Sequence, residues 1–401
     1  MALLHPFKAL RPVPERAQDV ACVPYDVINT EEARDLAEGN PLSFLHVIRP
    51  EIDLPVSMDE HDPEVYAKGA ENLRSFRHAP FSTQDVNPCV YVYRLVMDGR
   101  SQTGVFGCVS TDEYDSGRIL KHELTRPVKE DDRTRHILEQ QAHAEPVMLA
   151  FKDHPGVQAL IEEAQMSPAL YDFTADDGIR HTVWRITDTG PIVKAFADVP
   201  QLYVADGHHR CKAASRAAEE INGPPDHESR FFPAVLFPMS QVAILPYNRI
   251  IRRLPQGPDE FLSTLRSRFD VGPVSQPTPD SKGRICLYLG NTWYGLTLPE
   301  PVTSDVTASL DVARLSAGIL EPLLGITDPR RDSNIDFVGG IRGTRELERL
   351  VHEGKAALAI SMYPTSMDEL VSVSDAGELM PPKSTWFEPK LRSGLLIHLF
   401  D

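Results

Sequence analysis

Thirty-four prolines and 24 glycines cut the 401 residues into short stretches, and this punctuation limits the fold more than any other feature. Proline fixes φ and lacks a backbone donor, so it ends helices and is held to the rims of sheets. Short elements and frequent loops are expected. The length exceeds what one core ordinarily serves, which predicts two or three domains. Residues 271–283 are rich in proline and poor in apolar side chains, so they read as a linker or exposed loop. A boundary is expected near residue 255, between an α/β catalytic region (1–255) and a smaller α+β domain (256–401).

Between the breaks, periodicity is legible. Residues 89–96 and 103–109 are rich in β-branched and aromatic side chains, and Asp98-Gly99 between them is a strong hairpin signal. Further strands are expected at 147–151, 181–186, 202–204, 234–237 and 285–289. Helical spacing appears at 30–36, 63–76, 130–142, 156–165, 208–221, 258–268 and 344–353. The first of these follows Asn29 and carries Glu31 and Glu32, and the second opens near Pro63. Hairpin-linked strands mixed with isolated helices predict an α+β fold, with mixed sheets and flanking helices, over a regular βαβ alternation.

Composition removes several classes. With 41% hydrophobic and 25% charged residues, the chain has the balance of a globular protein and not of a disordered one. No stretch reaches the roughly 18 consecutive apolar residues of a membrane helix. No basic region followed by an apolar run opens the chain, so a signal peptide is not expected. The five scattered cysteines form no C-x-x-C pair, and a cytoplasmic protein with reduced thiols is the expectation. A net charge of −17 repels a phosphate backbone, which speaks against nucleic-acid binding. Any anionic substrate has to be captured by local groups.

Three segments carry chemistry. In Tyr203-Val204-Ala205-Asp206-Gly207-His208-His209-Arg210 a short apolar strand hands over to a helix. Gly207 permits the tight turn, and the first N–H groups of a helix attract anions. His208, His209 and Arg210 would converge on that point, with Arg210 offering a fork for phosphate. Asp206 beside a phosphate makes sense as a metal ligand, a helix cap or a base for an incoming hydroxyl. The bland alternative is a capped helix with solvated imidazoles.

The second segment is Lys121-His122-Glu123-Leu124-Thr125-Arg126-Pro127, a loop that supplies two cations and a histidine–glutamate pair. It is not the H-E-x-x-H zinc pattern, because Arg126 stands where the second histidine belongs. Residues 129–136 after it read as a solvent-facing helix laced with ion pairs, Asp132 and His136 sharing a face. The third segment, residues 380–390, offers Lys383, Ser384 and Thr385 behind paired prolines. It is either the tail of a phosphate-binding loop that lacks the glycines, or a terminal loop with Trp386 and Phe387 in the core. Val23-Pro24-Tyr25-Asp26-Val27-Ile28 and Pro246-Tyr247-Asn248-Arg249 read as turns with a buried aromatic.

Taken in order, Val23 to Ile28, Lys121-His122-Glu123, Asp131-Asp132-Arg133-Thr134-Arg135-His136, Ala205 to Arg210 and Pro382-Lys383-Ser384-Thr385-Trp386-Phe387 resemble the family catalogued as domain of unknown function 1015. That likeness spans essentially the whole chain. The shorter run from Asp206 to Arg210 is similar to the nucleotide-binding turn of ParB-like and sulfiredoxin-like proteins, among them free-serine kinases. The resemblance implies a ParB/sulfiredoxin-like nucleotide-binding unit, with Gly207, His208, His209 and Arg210 on the donor phosphates. It also implies a carboxylate, assigned to Glu123, that activates the serine hydroxyl.

The expected function is a phosphotransferase making O-phosphoserine from free L-serine, with ATP, ADP or pyrophosphate as donor. Asp206, His208, His209, Glu123 and His122 are the expected catalytic residues. Gly207, Arg210, Lys383, Ser384, Thr385, Arg126 and Lys121 are expected to bind phosphate or nucleotide. Asp206 and Glu123 are expected to hold Mg2+. The segment containing Lys383 is expected to return to the site. The same residues run with water as acceptor would make a phosphoserine phosphatase, and a non-catalytic ParB-like regulator binding nucleotide or DNA is the alternative of another class.

Overall fold

The computed structural model describes residues 2–301 and 305–401. The chain forms two compact units. Unit 1 takes the residues up to Lys121, Thr125–Val242 and Pro389–Asp401, and unit 2 takes His122–Leu124 and Ala243–Glu388. The main change of unit falls after Val242, against an expected boundary near residue 255, and the C-terminal segment goes back to unit 1.

Unit 1 is built on an eight-stranded sheet. Its strands in chain order are β1 (Val90–Met97), β2 (Arg100–Ser110), β3 (Ile119–Leu120), β4 (Val147–Phe151), β5 (Tyr171–Thr174), β6 (Arg180–Ile186), β7 (Leu202–Asp206) and β8 (Phe231–Pro238). In space they run β3-β7-β4-β8-β2-β1-β6-β5. The β3–β7 and β4–β8 pairs are parallel and the others antiparallel, so the sheet is mixed, as the pattern predicts. The β1–β2 hairpin closes at Met97↔Arg100. Asp98 and Gly99 in its turn have φ of 51° and 79°, the twist that matches paired strands.

Alternation then sorts side chains to two faces. Val92, Val105, Leu149 and Val204 share one core with Val157, Phe196, Cys211 and Ala214. Tyr91 and Phe106 meet Phe7 on the other face. The C-terminal segment is threaded into this unit: Leu10 N–H donates to the Ile397 carbonyl at 3.0 Å, Arg392 N–H donates to Tyr93 Oη at 3.4 Å, and His398 pairs with His143. Every residue from Pro389 to Phe400 is buried, which explains why the tail folds here.

Four helices of unit 1 matter for the site. Helix α1 (Thr30–Ala37) starts on an Asn29–Glu32 capping box, and α2 (Pro63–Arg77) has Pro63 in its first turn. Helices α3 (Pro127–Gln140) and α4 (His208–Ile221) pack on each other. Helix α3 corrects the solvent-facing expectation, since Asp132, Arg133, Thr134 and His136 are buried. Partners from elsewhere make this possible: Asp132 accepts from Tyr66 Oη at 3.1 Å and from Arg133 Nε at 2.9 Å.

Unit 2 holds a six-stranded antiparallel sheet of β9 (Tyr247–Ile251), β10 (Val271–Pro273), β11 (Arg284–Leu289), β12 (Thr292–Thr297), β13 (Ile335–Gly339) and β14 (Leu358–Met362). Their spatial order is β10-β12-β11-β14-β9-β13. The proline-rich stretch thus begins as an edge strand, the place where a strand tolerates proline. Ile250, Tyr288, Trp293, Leu347 and Ala359 form a small core in this unit. Among the described residues no helix is long and apolar enough to cross a membrane.

Candidate functional site

The expected strand, turn and helix are present around Gly207. Leu202 to Ala205 are buried, and Asp206 ends the strand half-buried. Pairing with β4 shifts register between Val204 and Asp206, which re-aims the strand end. Gly207 then takes φ 101° and ψ 31°. A Cβ at this position would lie 3.0 Å from Val147 Cγ1 and 3.1 Å from Arg210 Nε. Both backbone angle and close approach therefore call for glycine. Helix α4 begins with no side-chain cap, and Ala213, Ala214, Ala217 and Ala218 are buried, as a small-residue packing face requires.

Arg210 lies inside the molecule, with 7% of its surface exposed. Its guanidinium donates to the Pro146 carbonyl and to Asp206 Oδ2 at 3.2 Å, and it sits 3.8 Å from Asp26 Oδ2. Lys390 Nζ is 3.3 Å from Asp206 Oδ1. Asp206 is thus held between two cations, which removes most of its repulsion toward an anion at the helix start. Burial opposes the Arg210 charge, but Asp26, Asp206 and Glu145 outweigh it and keep the pKa above the ordinary value.

Glu145 accepts from Tyr25 N–H at 3.2 Å and Ser393 Oγ at 3.4 Å, and lies 3.6 Å from Arg133 Nη1. Burial pushes its carboxyl pKa up, against the pull of Arg210 and Arg133. Arg133 stacks over the Tyr25 ring at 4.0 Å and binds Asp132. Three of the family-like segments, around Tyr25-Asp26, Asp132-Arg133 and Asp206 to Arg210, therefore converge in unit 1. Asp26, Glu145 and Lys390 were missed as site residues by sequence reasoning. An acid next to a buried tyrosine in a proline turn was the available signal for Asp26. Lys390 lay in the third segment, but Lys383 beside two hydroxyls drew the assignment.

The other predicted residues distribute as follows. His209 Nε2 accepts from Arg126 N–H at 3.0 Å, so its proton sits on Nδ1 and the ring is neutral. His208 is buried, and the Arg126 side chain is exposed at the N-cap of α3. Lys121 places its ammonium 4.0 Å from the Tyr114 ring centre, and burial followed by Lys212 lowers its pKa. In unit 2 the second and third segments meet. His122 Nε2 lies 3.3 Å from Thr385 Oγ1, and the His122 carbonyl accepts from Met380 N–H at 2.8 Å. Glu123 is half-buried next to it.

Ser384 Oγ donates to the Pro381 carbonyl at 2.6 Å, which closes the turn. Lys383 has φ 58°, its ammonium lies 5.3 Å from the Tyr247 ring centre, and its carbonyl accepts from Arg249 Nη2 at 3.0 Å. Trp386 meets Tyr247 edge-on at 5.1 Å, and Phe387 is buried. Ser384 and the aromatics thus fit a structured terminal loop, while Lys383 and Thr385 present functional groups from it. The segment that closes on Asp206 within unit 1 is the one carrying Lys390. Because both Asp206 oxygens face cations, Mg2+ would compete with Lys390 and Arg210 for them, and Asp206 is no preformed cation site.

A family model described as a protein of unknown function, DUF1015, matches residues 4–313. The chain belongs to this family. No curated protein matches it. Solved structures similar to the DUF1015 chain include a free serine kinase in complex with AMP, at 11% identity over 72% of this chain and 92% of that one, with TM-score 0.36. A conserved hypothetical protein from Pyrococcus furiosus is similar at 12% identity over 72% and 95%, TM-score 0.35. SbnI with a C-terminal truncation from Staphylococcus aureus is similar at 13% over 73% and 87%, TM-score 0.38.

Proposed function

We propose that this DUF1015 protein is a phosphotransferase acting on a small hydroxyl substrate, with free L-serine as acceptor and a nucleotide or pyrophosphate as donor. The observation that carries the reading is the start of α4. There an uncapped helix N-terminus on a left-handed glycine stands beside Asp206, whose charge is matched by Arg210 and Lys390. Phosphoryl transfer depends on positioning and charge neutralisation, and such a start supplies both a dipole and two cations. Mg2+ is proposed to enter on the donor phosphates, where it would neutralise charge. Serine as the acceptor, and a ParB/sulfiredoxin-like character for this unit, follow from the likeness of the Asp206 to Arg210 run.

Phosphorus NMR tests the reading. L-Serine with Mg2+ and ATP, ADP or pyrophosphate is expected to give a phosphoserine resonance with one of the donors. Asp206→Asn and Glu123→Gln are each expected to slow its appearance at least tenfold, on the usual size of a lost charged catalytic group. Inorganic phosphate released from phosphoserine alone would select the hydrolytic direction. Absence of phosphoserine with every donor would end the kinase assignment.

A further inference from the structure

Beside Arg210, unit 1 holds a cavity of about 40 Å3 lined by six polar residues: Arg133, His136, Gln140, His143, Glu145 and Arg210. Ile48, Val147 and Phe232 supply apolar wall. Three buried atoms of these polar residues, Arg210 Nε, His136 Nδ1 and His143 Nε2, have no hydrogen-bond partner among the described residues. Native interiors rarely leave such atoms unmatched, so three around one cavity point to a polar occupant.

The three atoms differ in what they ask for. Arg210 Nε–H can act as a donor and never as an acceptor. His143 hydrogen-bonds the Ser229 backbone through its other ring nitrogen, and the Ser229 N–H is already given to His227. That bond therefore runs from the His143 ring N–H to the Ser229 carbonyl, which leaves Nε2 as an acceptor. Glu145 adds acceptor oxygens, and His136, whose Nε2 lies 4.0 Å from Asp132 Oδ1 where an N–H is favoured, offers Nδ1 as a further acceptor. Donors and acceptors together form the complement of a small zwitterion. The volume matches roughly three waters, so a compact head group fits and a long side chain does not.

We propose that this cavity receives the α-carboxylate and α-ammonium groups of a small amino acid, the carboxylate on Arg210 Nε, the ammonium on His136 Nδ1, His143 Nε2 and Glu145. This deepens the phosphotransferase reading and rests on it for the choice of an amino acid. The Arg210 guanidinium then serves two sides, with Nη2 on Asp206 and Asp26, Nη1 on the Pro146 carbonyl and Nε toward the acceptor.

Calorimetric titration of the full chain, without nucleotide, tests the assignment with glycine, L-alanine and L-serine against glycolate and ethanolamine, which each lack one charge. The amino acids are expected to bind and the two single-charge analogues to bind at least tenfold more weakly. Glu145→Gln keeps the shape and is expected to lose tenfold or more in L-serine affinity. Ala214→Val, which fills the cavity from α4, is expected to do the same. A fluorescent ADP analogue, bound equally by wild type and both variants, reports that each variant is folded. Wild-type L-serine affinity in both variants, equal binding of ethanolamine, or no amino-acid binding at all would overturn the proposal and leave the cavity to ordered water. Glu145-dependent serine binding without phosphoserine from any donor would retain the cavity assignment and refute the transfer reading.

Discussion

Arg210→Met is the most informative single change, because the geometry fixes what is lost. The variant keeps a side chain of similar reach but leaves the Pro146 carbonyl without its donor, Asp26 without its cation at 3.8 Å, and Glu145 facing Arg133 alone. Asp206 retains Lys390 at 3.3 Å. Removing one partner of a buried ion pair costs about 3–5 kcal/mol. The Asp206 and Asp26 side chains are 27% and 35% exposed, so water recovers part of that, and about 2–3 kcal/mol is expected. For a unit of this size that lowers Tm by roughly 5–10 °C. Arg210→Lys is expected to fall between the two, since one ammonium cannot serve a carbonyl and two carboxylates at once. Differential scanning calorimetry of the full chain reads the effect in the unit 1 transition. An unchanged transition in Arg210→Met would mean that these ion pairs contribute nothing, and the account of a locked guanidinium would fail.

Two further outcomes follow from the same geometry. Gly207→Ala should cost more than Gly354→Ala, although both glycines have positive φ, because a Cβ at 207 meets Val147 at 3.0 Å while one at 354 meets nothing within 4 Å. Backbone strain alone is worth about 1–2 kcal/mol, so equal melting shifts for the two would show that the close approach at the turn is not felt. Asp132 provides a pH test. Burial raises its carboxyl pKa, but Arg133 and His136 outweigh that and hold it at about 2. A depressed pKa gives stability that is complete above the unfolded value and lost as pH falls toward the folded one, here between about pH 4 and 2. The wild type should therefore lose about 2 kcal/mol more than Asp132→Asn across that window, measured by urea unfolding at each pH. Parallel acid profiles would remove Asp132 as a charged partner of Arg133.

Local chemistry was legible in the sequence and distant pairing was not. The Asp98-Gly99 hairpin and the Asn29–Glu32 box depend on residues a few positions apart, and both appear where the pattern puts them. The Gly207 turn is of the same kind. Helix α3 misled because its charge pattern is that of a solvated surface. Its burial depends on Tyr25, Tyr66 and Glu145, supplied by other segments of the chain. Asp206 and Lys390 are 184 positions apart, and no periodicity connects residues at that distance.

A buried guanidinium nevertheless makes a demand that sequence can register. Arg210 follows a buried strand and shares its buried helix face with Ala213, Ala214 and Ala217, so its charge has to be met by acids from elsewhere. The net charge of −17 gives no hint of where those acids are, and taken alone it argues against any anion site. Pairing resolves this. Around the start of α4, Asp206 is neutralised from both sides by Arg210 and Lys390, so the global repulsion is locally cancelled at this helix N-terminus. On the phosphotransferase proposal, a phosphate at this turn would meet the helix dipole with Asp206 already matched by two cations, which is how a strongly acidic chain would hold an anionic donor.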